Sequence, residues 1–372
     1  MTIGIEASHA NKAKRTGVEE YCWRIIQELK KQIPSTVRVV LYSECPLVNE
    51  LGVVPANWEI KILPWPFKKG WSQVRLSLEF LFHPPDIFFA PGQLVPFICP
   101  KNTVATVHDS AFMVFPRAYG FFGRQYLKVM NRLVLKKSKL IITPSEFTRQ
   151  ELRRLYNYDV SRVKVVPHGY DKNVFKKIEL AEEEKNNFLA KFNITKPFYL
   201  SVGRLEEKKN TANIVRAFDL IKKEVDAELV LVGTPRRGFD EVKKAIDDSP
   251  NKNDIILPGW VGSEDVARLY SLATAFIFPS LYEGFGLPVL DAMACGCPVI
   301  ASTGNSLAEV GGDAALYVSA DKPREIAEKM SKILSDRILR QKMSENGLVW
   351  VKNFSWEKTA QLTWAVLSEA VK

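Results

Sequence analysis

Two carboxylates, eight positions apart in the chain, mark the segment whose residue types are best suited to chemistry. Glu283 follows a predicted buried strand that ends at Phe278, and Asp291 lies on a predicted helix that begins near Gly286 or Leu287. A helix N-terminus attracts phosphate because its first backbone N–H groups have no partners within the helix. Carboxylates accept hydrogen bonds from vicinal hydroxyls, so the segment suits a ribose or a hexose beside a phosphate. The alternative is a solvated loop acid followed by an ordinary helix acid.

A second candidate site follows another predicted strand, Phe198–Val202. Gly203 lets the backbone approach a ligand closely. Arg204 and Lys209 supply two positive charges that can neutralise a diphosphate without a metal. Asn210 stands where a helix N-cap is expected. The alternative is an exposed charged loop that binds nothing.

Two further groups lie where strands end and helices begin. His108 and Asp109 follow the buried strand Thr103–Val107, either as a catalytic dyad or as a packed corner. Ser306 and Leu307 begin a short helix after another strand, and their backbone N–H groups can meet phosphate.

The elements that position these residues alternate between strands and helices. Predicted strands are Val37–Tyr42, Ile60–Leu63, Asp86–Ala90, Thr103–Val107, Leu140–Thr143, Val163–Val166, Phe198–Val202, Glu228–Val232, Asp254–Leu257, Ala275–Phe278, Pro298–Ala301 and Ala315–Val318. Predicted helices include Val18–Lys31, Trp71–Phe82, Phe121–Lys137, Glu146–Tyr156, Glu179–Lys191 and Trp356–Val371. This alternation predicts parallel sheets, which bind ligands outside the carboxyl ends of their strands.

The length and the alternation together predict two α/β domains. A chain of 372 residues is long for one compact domain and sufficient for two. We expect an N-terminal domain at 1–178, a surface helix and linker at 179–196, and a C-terminal, nucleotide-binding domain at 197–355. The helix at 356–372 is expected to pack back on the first domain. The predicted fold class is therefore α/β, with two Rossmann-like parallel-sheet domains facing each other across a cleft.

The acidic segment resembles the signature of retaining glycosyltransferases of the GT-B fold, especially glycosyltransferase family 4. That signature is a Glu, seven residues and a second Glu within a Glu-Gly-Phe-Gly-Leu-Pro frame; here it starts at Glu283, with the shorter Asp291 as the second acid. The family's diphosphate-binding residues are a Gly-Arg pair followed five residues later by Lys, which Arg204 and Lys209 match. The resemblance covers essentially the whole chain, in order.

The resemblance implies a role for each candidate residue. Glu283 would face the donor sugar, Asp291 the ribose hydroxyls, and His108 the transferred sugar. Gly17, in the loop after the first strand, would lie against the donor phosphate across the cleft. The implied catalytic residues are His108, Arg204, Lys209 and Glu283. The implied donor-binding residues are Gly17, Gly203, Arg204, Lys209, Glu283, Gly284, Phe285, Gly286, Leu287, Asp291, Ser306 and Leu307.

The activity that the resemblance implies is transfer of a hexose to a hydroxyl of a glycan or lipid-linked glycan. The anomeric configuration would be retained, without a metal or another cofactor. We expect GDP-mannose as the donor, with UDP-glucose and UDP-N-acetylglucosamine as alternatives. Rival functions on the same fold are a sugar-nucleotide epimerase or hydrolase, and an inert sugar-nucleotide-binding or membrane-adaptor protein.

The excess of positive over negative charge lies in the first part of the chain. Residues 1–196 carry 30 Lys/Arg against 18 Asp/Glu, whereas residues 197–355 carry 20 against 22. Arg124, Lys128, Arg132 and Lys136 recur every four residues, on one stripe of the predicted helix 121–137. A basic amphipathic helix indicates an anionic membrane surface as partner. The alternative is a core-packed helix with a solvated cationic face. We expect no nucleic-acid partner, because no nucleic-acid-binding motif accompanies the charge.

Other composition features exclude further classes of protein. No window of about 18 apolar residues predicts a membrane-spanning helix. The start of the chain reads as a strand rather than as a signal peptide, so we expect a cytoplasmic protein, peripheral on the inner membrane face. The five cysteines lack the spacing of a metal site, so no metal site is predicted.

Overall fold

The computed structural model describes residues 1–12, 15, 17–67, 70–222 and 224–371, in two compact units. Unit 1 comprises Met1–Val114, Phe121–Gly169 and the chain from Phe354 onward. Unit 2 comprises Phe115–Gly120 and Tyr170–Asn353. Lys372, the last position of the predicted C-terminal helix, lies outside the described residues.

The strands are β1 (Thr2–Glu6), β2 (Arg38–Ser43), β3 (Trp58–Ile62), β4 (Ile87–Ala90), β5 (Thr103–Thr106), β6 (Leu140–Thr143), β7 (Val163–Val165), β8 (Phe198–Val202), β9 (Glu228–Val232), β10 (Ile255–Gly259), β11 (Ala275–Phe278), β12 (Val299–Ser302) and β13 (Ala315–Val318). Their ends differ from the predicted ones by at most two residues.

The helices are α1 (Val18–Gln32), α2 (Leu76–Phe82), α3 (Ala111–Val114), α4 (Phe121–Lys137), α5 (Glu146–Tyr156), α6 (Glu182–Ala190), α7 (Thr211–Ile221), α8 (Phe239–Asp247), α9 (Ser263–Leu272), α10 (Leu287–Ala294), α11 (Leu307–Gly311), α12 (Pro323–Ser335), α13 (Arg337–Trp350) and α14 (Trp356–Glu369). A π-helical turn, Trp71–Arg75, precedes α2. Turns of 3₁₀ helix are Asn49–Leu51, Pro116–Ala118, Val160–Arg162, Glu207–Lys209, Lys252–Asp254, Gly312–Ala314 and Val351–Asn353.

Each unit contains one sheet, and both sheets are parallel, as the alternation of elements predicts. Among the described residues, unit 1 orders its strands β3-β2-β1-β4-β5-β6-β7, and unit 2 orders its strands β10-β9-β8-β11-β12-β13. The direction of winding reverses between β1 and β4 in the first sheet and between β8 and β11 in the second. Doubly wound sheets bind ligands at such switch points, beyond the carboxyl ends of the strands.

Burial of both sheet faces explains why the central strands of each sheet are largely apolar. In unit 2 one face packs against α7 and α12, through a core that includes Ile214, Phe218, Ile326 and Met330. In unit 1 the core against α2, α4 and α5 includes Leu76, Phe80, Val134 and Leu152. Strands enclosed in this way have no solvent-facing side, so they lack the polar alternation of an exposed sheet.

The C-terminal helix α14 belongs to unit 1. It packs against α1, and the side chain of Gln32 donates a hydrogen bond to the carbonyl of Glu357 over 2.8 Å. Its Thr359 hydroxyl donates to the carbonyl of Pro167, also over 2.8 Å. The Trp356 ring stacks on His168, with ring centroids 5.7 Å apart.

Candidate active site

The strand order of unit 2 brings two distant segments of the chain to one edge of the sheet. β8 and β11 are neighbours, with Tyr199 opposite Ala275, although β9 and β10 come between them in sequence. The segment after β8 carries Gly203, Arg204 and Lys209, and the loop after β11 carries Glu283. Because the strands run parallel, both segments emerge at the carboxyl edge, at the switch point of the sheet.

Lys209 and Glu283 form an ion pair at this edge. The Lys209 ammonium lies 2.5 Å from Oε1 of Glu283, and the two side chains are only 14% and 11% exposed. The ammonium also lies 4.9 Å from the centroid of the Phe278 ring, within reach of a cation–π interaction. The Ser280 hydroxyl donates to the same oxygen of Glu283 over 2.6 Å. A cation and a carboxylate are therefore held side by side, with little water around them.

The ionisation of this pair follows from its surroundings. Burial lowers the pKa of Lys209, and the negative charge of Glu283 opposes that change. Burial alone would raise the pKa of Glu283, but the charges of Lys209 and Lys208 and the hydrogen bonds to its carboxylate lower it below the ordinary value. Glu283 is therefore ionised at neutral pH, and its carboxylate oxygens act only as hydrogen-bond acceptors.

Arg204 offers a more exposed cation on the same segment. Its side chain is 54% exposed, and its Nη2 lies 3.3 Å from Oε1 of Glu206. The preceding residue, Gly203, has a φ of 154° and donates its N–H to the carbonyl of Val232 over 2.9 Å. This conformation favours glycine. A guanidinium on such a turn can present its planar fork to phosphate oxygens.

The structure corrects the predicted role of Asn210. Its backbone is left-handed, with a φ of 60°, and its side chain makes no N-cap hydrogen bond to α7. The amide instead donates to the carbonyls of Pro279 and Ala320, over 3.0 and 2.6 Å. Asn tolerates the left-handed region because its side chain can satisfy nearby backbone groups. Asn210 therefore ties the Lys209 segment to the end of β11.

The loop that carries Glu283 is fixed by the polar residues before α11. The Ser306 hydroxyl is within hydrogen-bonding distance of the carbonyls of both Glu283 and Phe285, at 2.9 and 2.8 Å. The Asn305 amide donates to the carbonyl of Ser280 over 2.8 Å. The Leu307 N–H donates to Oδ1 of Asn305, so a phosphate at this N–H would have to replace Asn305 as the acceptor.

Gly286 is required at the turn between this loop and α10. Its φ is 112°, and a Cβ at this position would lie 2.4 Å from Cδ2 of Leu307. The loop also includes Gly284 and the buried Phe285. α10 then begins at Leu287, one of the two starting residues that the sequence predicts.

Asp291 lies on α10 and is half-buried. Burial and then the Asp291 charge raise the pKa of Tyr270 on α9. The same two effects raise the pKa of Cys295 to about 12. The charge of Asp291 thus acts on Tyr270 of α9 and on Cys295 at the end of α10. The contact of Asp291 with a ribose stays a prediction.

In unit 1, His108 is fixed as a neutral imidazole. Its Nε2 donates to the carbonyl of Pro91 over 2.8 Å, and burial lowers its pKa to about 4. The Tyr21 ring meets it edge-on at 4.7 Å. Oδ1 of the neighbouring Asp109 accepts the N–H of Ala111, at the start of α3. These contacts are those of a packed corner, and they leave the role of His108 toward a sugar as a prediction.

Gly17 precedes α1 in the same unit. Its φ is 42°, and its carbonyl accepts the N–H of Tyr21 over 3.0 Å. No described heavy atom lies within 4 Å of a Cβ built on Gly17. Its proposed contact with a phosphate stays a prediction.

Sequence reasoning missed the residues that support the ion pair. Ser280 and Phe278 contact Glu283 and Lys209 directly, and Asn305 holds the loop from the other side. The spacing of Ser280, three residues before Glu283, was the available signal, because a hydroxyl in the same short loop can reach the carboxylate. Asn305 carried no such signal.

In the described parts of the chain, no group of three or more His, Cys, Asp or Glu side chains is placed to hold a metal ion. Within the same residues, each helix is too short or too polar to cross a membrane.

Comparison with known proteins identifies the family to which this chain belongs. The profile described as Glycosyltransferase Family 4 matches residues 15–174, and that of Glycosyl transferases group 1 matches residues 182–350. The O-antigen chain mannosyltransferase B of Escherichia coli is 30% identical over 301 residues, which cover 80% of this chain and 76% of the relative. The O-antigen chain mannosyltransferase RfbU of Salmonella typhimurium is 25% identical, over 80% of this chain and 79% of the relative.

A solved structure shares the architecture over almost the whole length. The sucrose-phosphate synthase of Thermosynechococcus elongatus matches with a TM-score of 0.75 and 19% identity, over 99% of this chain and 98% of the other. The two parallel sheets, the matching profiles and the mannosyltransferase relatives agree with the resemblance read from the acidic signature. The chain belongs to glycosyltransferase family 4, with the GT-B fold, and is a glycosyltransferase.

Proposed function

We propose that this glycosyltransferase moves mannose from GDP-mannose to a hydroxyl of a glycan or lipid-linked glycan, with retention of the anomeric configuration. The mannosyltransferase names of the relatives from Escherichia coli and Salmonella typhimurium support the choice of sugar. Glu283 and Asp291 match the acidic signature of the family, and this signature implies that the anomeric configuration is retained. Unit 1 would hold the acceptor, and unit 2 would hold the donor.

The observation that carries the proposal is the ion pair of Lys209 and Glu283. A sugar nucleotide carries a diphosphate next to a ring of hydroxyls, so its site needs a cation and a carboxylate side by side. The ammonium and the carboxylate meet at the carboxyl edge of the sheet, where such ligands bind. The mostly buried surroundings strengthen both interactions, because fewer water molecules compete for the charges.

The chemistry assigned to unit 2 is stabilisation of the departing diphosphate. When the bond between the sugar and the phosphate breaks, its electron pair stays on the phosphate, which gains negative charge. Arg204 and Lys209 would stabilise this charge, and no metal is needed in the proposal. Glu283 would hold the hydroxyls of the sugar, and Asp291 those of the ribose.

The family resemblance gives further residues a role toward the donor. His108 would contact the transferred sugar, and Gly17 would face a phosphate. The backbone of the glycine-rich turn and of the α11 start would add N–H donors. The proposed donor-binding residues beyond the ion pair are Gly17, Gly203, Arg204, Gly284, Phe285, Gly286, Leu287, Asp291, Ser306 and Leu307.

A transfer assay separates this proposal from its rivals. The protein is incubated with GDP-mannose labelled in the sugar and with a lipid extract of bacterial membranes, without added metal. We expect label in the lipid fraction, and an α-linkage by NMR of the isolated product. Label released as free mannose would indicate a hydrolase, and an altered sugar still attached to GDP an epimerase. If transfer occurred only from UDP-glucose or UDP-N-acetylglucosamine, the protein would still be a glycosyltransferase, but the proposed donor would be wrong.

The outer surface of α4 supports a second proposal, which is attachment to an anionic membrane. Met130, Val134 and Leu135 are buried, and they anchor the helix to the core. The exposed apolar side chains of α4 lie in the N-terminal half of the helix; they are Phe121, Phe122, Tyr126 and Val129. Arg132, Lys136 and Lys137 are exposed in the C-terminal half. Apolar side chains flanked by cations are the composition of an interfacial helix.

The geometry also changes which cations of the predicted basic stripe are suited to lipid. Arg124 and Lys128 are half-buried, and Arg124 donates to the carbonyl of Phe112 over 2.9 Å. The first half of the stripe therefore faces the protein, and the second half faces solvent. We propose Phe122, Tyr126, Arg132 and Lys136 as the contacts with an anionic bilayer.

Sedimentation with vesicles tests this attachment. We expect the protein to sediment with vesicles that contain phosphatidylglycerol and to stay in solution with pure phosphatidylcholine. The double variant Phe122→Ser/Lys136→Glu should lose most of this binding. Ile338→Ser/Arg337→Glu is the matched control, because both side chains are exposed on α13 of unit 2. If both double variants bound the vesicles equally, α4 would be a core-packed helix with a solvated cationic face and not a membrane contact.

A further inference from the structure

A carboxylate and an imidazole are joined at the end of the first strand of unit 1. Glu6, the last residue of β1, is 1% exposed, and its Oε2 lies 2.8 Å from Nδ1 of His9. Its Oε1 accepts the backbone N–H of His9 over 3.2 Å. In the part of the chain that the structure describes, the hydrogen bonds of His9 both go to Glu6. Both oxygens of one buried carboxylate thus orient this histidine.

The pair lies at the carboxyl edge of the first sheet, the edge at which doubly wound sheets bind ligands. β1 and β4 are the neighbours between which the winding reverses, and the loop after β4 contains Pro91 and Gly92. A Cβ on Gly92 would lie 2.6 Å from Cγ of His9, so the ring lies directly against this loop. His108 binds the carbonyl of Pro91 in the same loop. His9 and His108 therefore contact consecutive residues of one turn at the switch point.

The hydrogen bonds define what the imidazole can do. Because a carboxylate oxygen only accepts, Nδ1 of His9 carries a proton and Nε2 is the nitrogen directed to other partners. The His9 side chain remains 27% exposed, in contrast to the buried His108 and His168. The charge of Glu6 raises the pKa of His9, against the effects of burial and of Lys12, and Glu19 adds to the rise.

We propose that Glu6 and His9 form an acceptor site in unit 1, in which Nε2 of His9 binds a hydroxyl of the acceptor sugar. A sugar hydroxyl both donates and accepts, so it matches the neutral and the protonated imidazole alike. Glu6 is the positioning residue, since it fixes the ring and does not contact the sugar. The assignment of this hydroxyl to the acceptor rests on the proposed transferase function.

Histidine NMR provides the direct test, because the chain has only four histidines. The protein is labelled with ¹³C in the histidine rings, and each signal is assigned with a single His→Gln variant. Methyl α-glycosides of mannose, glucose, galactose and N-acetylglucosamine are then titrated to their solubility limits. We expect at least one of them to shift the His9 signal in a saturable way.

His83 is the matched control for this titration. It also pairs with a glutamate of unit 1, Glu79, with Nδ1 and Oε1 3.3 Å apart, but it lies before β4, at the opposite edge of the sheet. A His9 signal that no glycoside moves would overturn the proposal. So would a His9 signal that moves only with GDP, because the site would then bind phosphate.

Kinetics with a glycoside that moves the His9 signal extend the test to catalysis. His9→Gln should raise the KM for that glycoside about 10-fold or more and leave the KM for the donor unchanged, because one hydrogen bond to the acceptor is lost. Glu6→Gln should give a smaller rise, and His83→Gln none. An unchanged acceptor KM in His9→Gln would contradict the proposal. If GDP-mannose did not serve as the donor, the proposed donor would be wrong. The NMR result would not be affected, because that titration contains no donor.

Discussion

The Nζ atom of Lys209 donates a hydrogen bond to Oε1 of Glu283, which lies 74 positions further along the chain. The contact exists because β8 and β11 are neighbours at the switch point of the unit 2 sheet. It places one positive and one negative group in a largely buried corner, with Ser280 and Phe278 as their supports. A phosphate that bears a sugar matches this arrangement of charges.

The carboxylate of Glu283 is predicted to be essential for transfer and to stabilise its own neighbourhood. Glu283→Gln keeps the size of the side chain and removes the charge that Lys209 faces. We expect transfer to fall by about 100-fold or more, because the donor sugar loses a charged partner. The unfolding free energy should fall by roughly 1–3 kcal/mol, because a mostly buried ammonium loses its counter-charge. Steady-state kinetics and denaturant unfolding measure the two effects.

Glu241→Gln is the control for this variant. Glu241 is exposed on α8 and lies 3.9 Å from Arg216, so its loss should change the unfolding free energy by less than about 0.5 kcal/mol. Near-normal turnover by a folded Glu283→Gln protein would remove Glu283 from the proposed site.

The guanidinium of Arg204 is predicted to bind the diphosphate and to contribute little to folding. Arg204→Ala should weaken GDP binding by about 10-fold to 100-fold, because charged hydrogen bonds to phosphate are lost. The melting temperature without ligand should fall by only a few degrees: Glu206, whose side chain is 9% exposed, loses a nearby cation, but the Arg204 side chain is itself 54% exposed. Calorimetric titration with GDP measures the affinity.

Arg216→Ala is the matched substitution on α7 of the same unit. Arg216 is 50% exposed and contacts a surface glutamate. An equal effect of both substitutions on GDP binding would indicate general electrostatic attraction rather than a clamp at Arg204.

The strands could be predicted from the sequence because burial on both sheet faces leaves short apolar runs. Most helices could be predicted because their apolar residues recur with helical spacing. β6, β8, β9, β11 and β13 have the predicted bounds, and so do α4 and α5. The carboxyl ends of these strands also indicated where Lys209 and Glu283 would emerge. Their roles toward a donor came from the family signature and remain predictions.

Tertiary packing decided what the sequence pattern could not. The basic residues of α4 recur every four positions, but contact of Arg124 with the carbonyl of Phe112 determines which part of that stripe reaches solvent. Asn210 looked like a helix cap, whereas its left-handed backbone turns the amide toward Pro279 and Ala320. Glu6 ends β1 and His9 lies in the turn that follows, where no periodicity reveals which residues meet.

Burial of His108 predicts a specific loss of stability in mild acid. Its pKa is about 4 in the folded chain, against an ordinary value of 6.5. As the pH falls below 6.5, the unfolded chain takes up the proton first, so this histidine destabilises the fold progressively until the pH nears 4. Between about pH 7 and pH 5 the loss should be roughly 2 kcal/mol, and the lowered pKa of His168 should add to it.

Denaturant unfolding at these two pH values measures this loss. His108→Gln should show a smaller decrease in unfolding free energy than the parent protein, because the titrating group is gone. The raised pKa of His9 works in the opposite direction, since its contribution is present at low pH and is lost as the pH rises. An equal decrease in both proteins would mean that His108 is not held neutral by burial.

Gly286 is predicted to be irreplaceable at the turn before α10. In Gly286→Ala the new Cβ would collide with Leu307, and a φ of 112° strains any residue with a side chain. We expect a loss of about 1–3 kcal/mol in unfolding free energy and weaker GDP binding. Gly262→Ala is the control, because its φ is −66° and no described heavy atom lies within 4 Å of the added carbon. If both variants were as stable as the parent protein, the loop carrying Glu283 would be adaptable rather than fixed.

A thermal-shift panel tests most directly the central claim, that unit 2 binds a sugar nucleotide between the cations Arg204 and Lys209 and the acid Glu283. GDP, UDP, ADP and their common sugar conjugates are compared without added metal, because a ligand specific to the folded chain raises its melting temperature. We expect a rise with GDP and a larger rise with GDP-mannose, and both rises should be smaller in Arg204→Ala. A rise with another nucleotide alone would support the site and exclude GDP-mannose as the donor. No rise with any saturating nucleotide would show that unit 2 does not bind a sugar nucleotide at these residues.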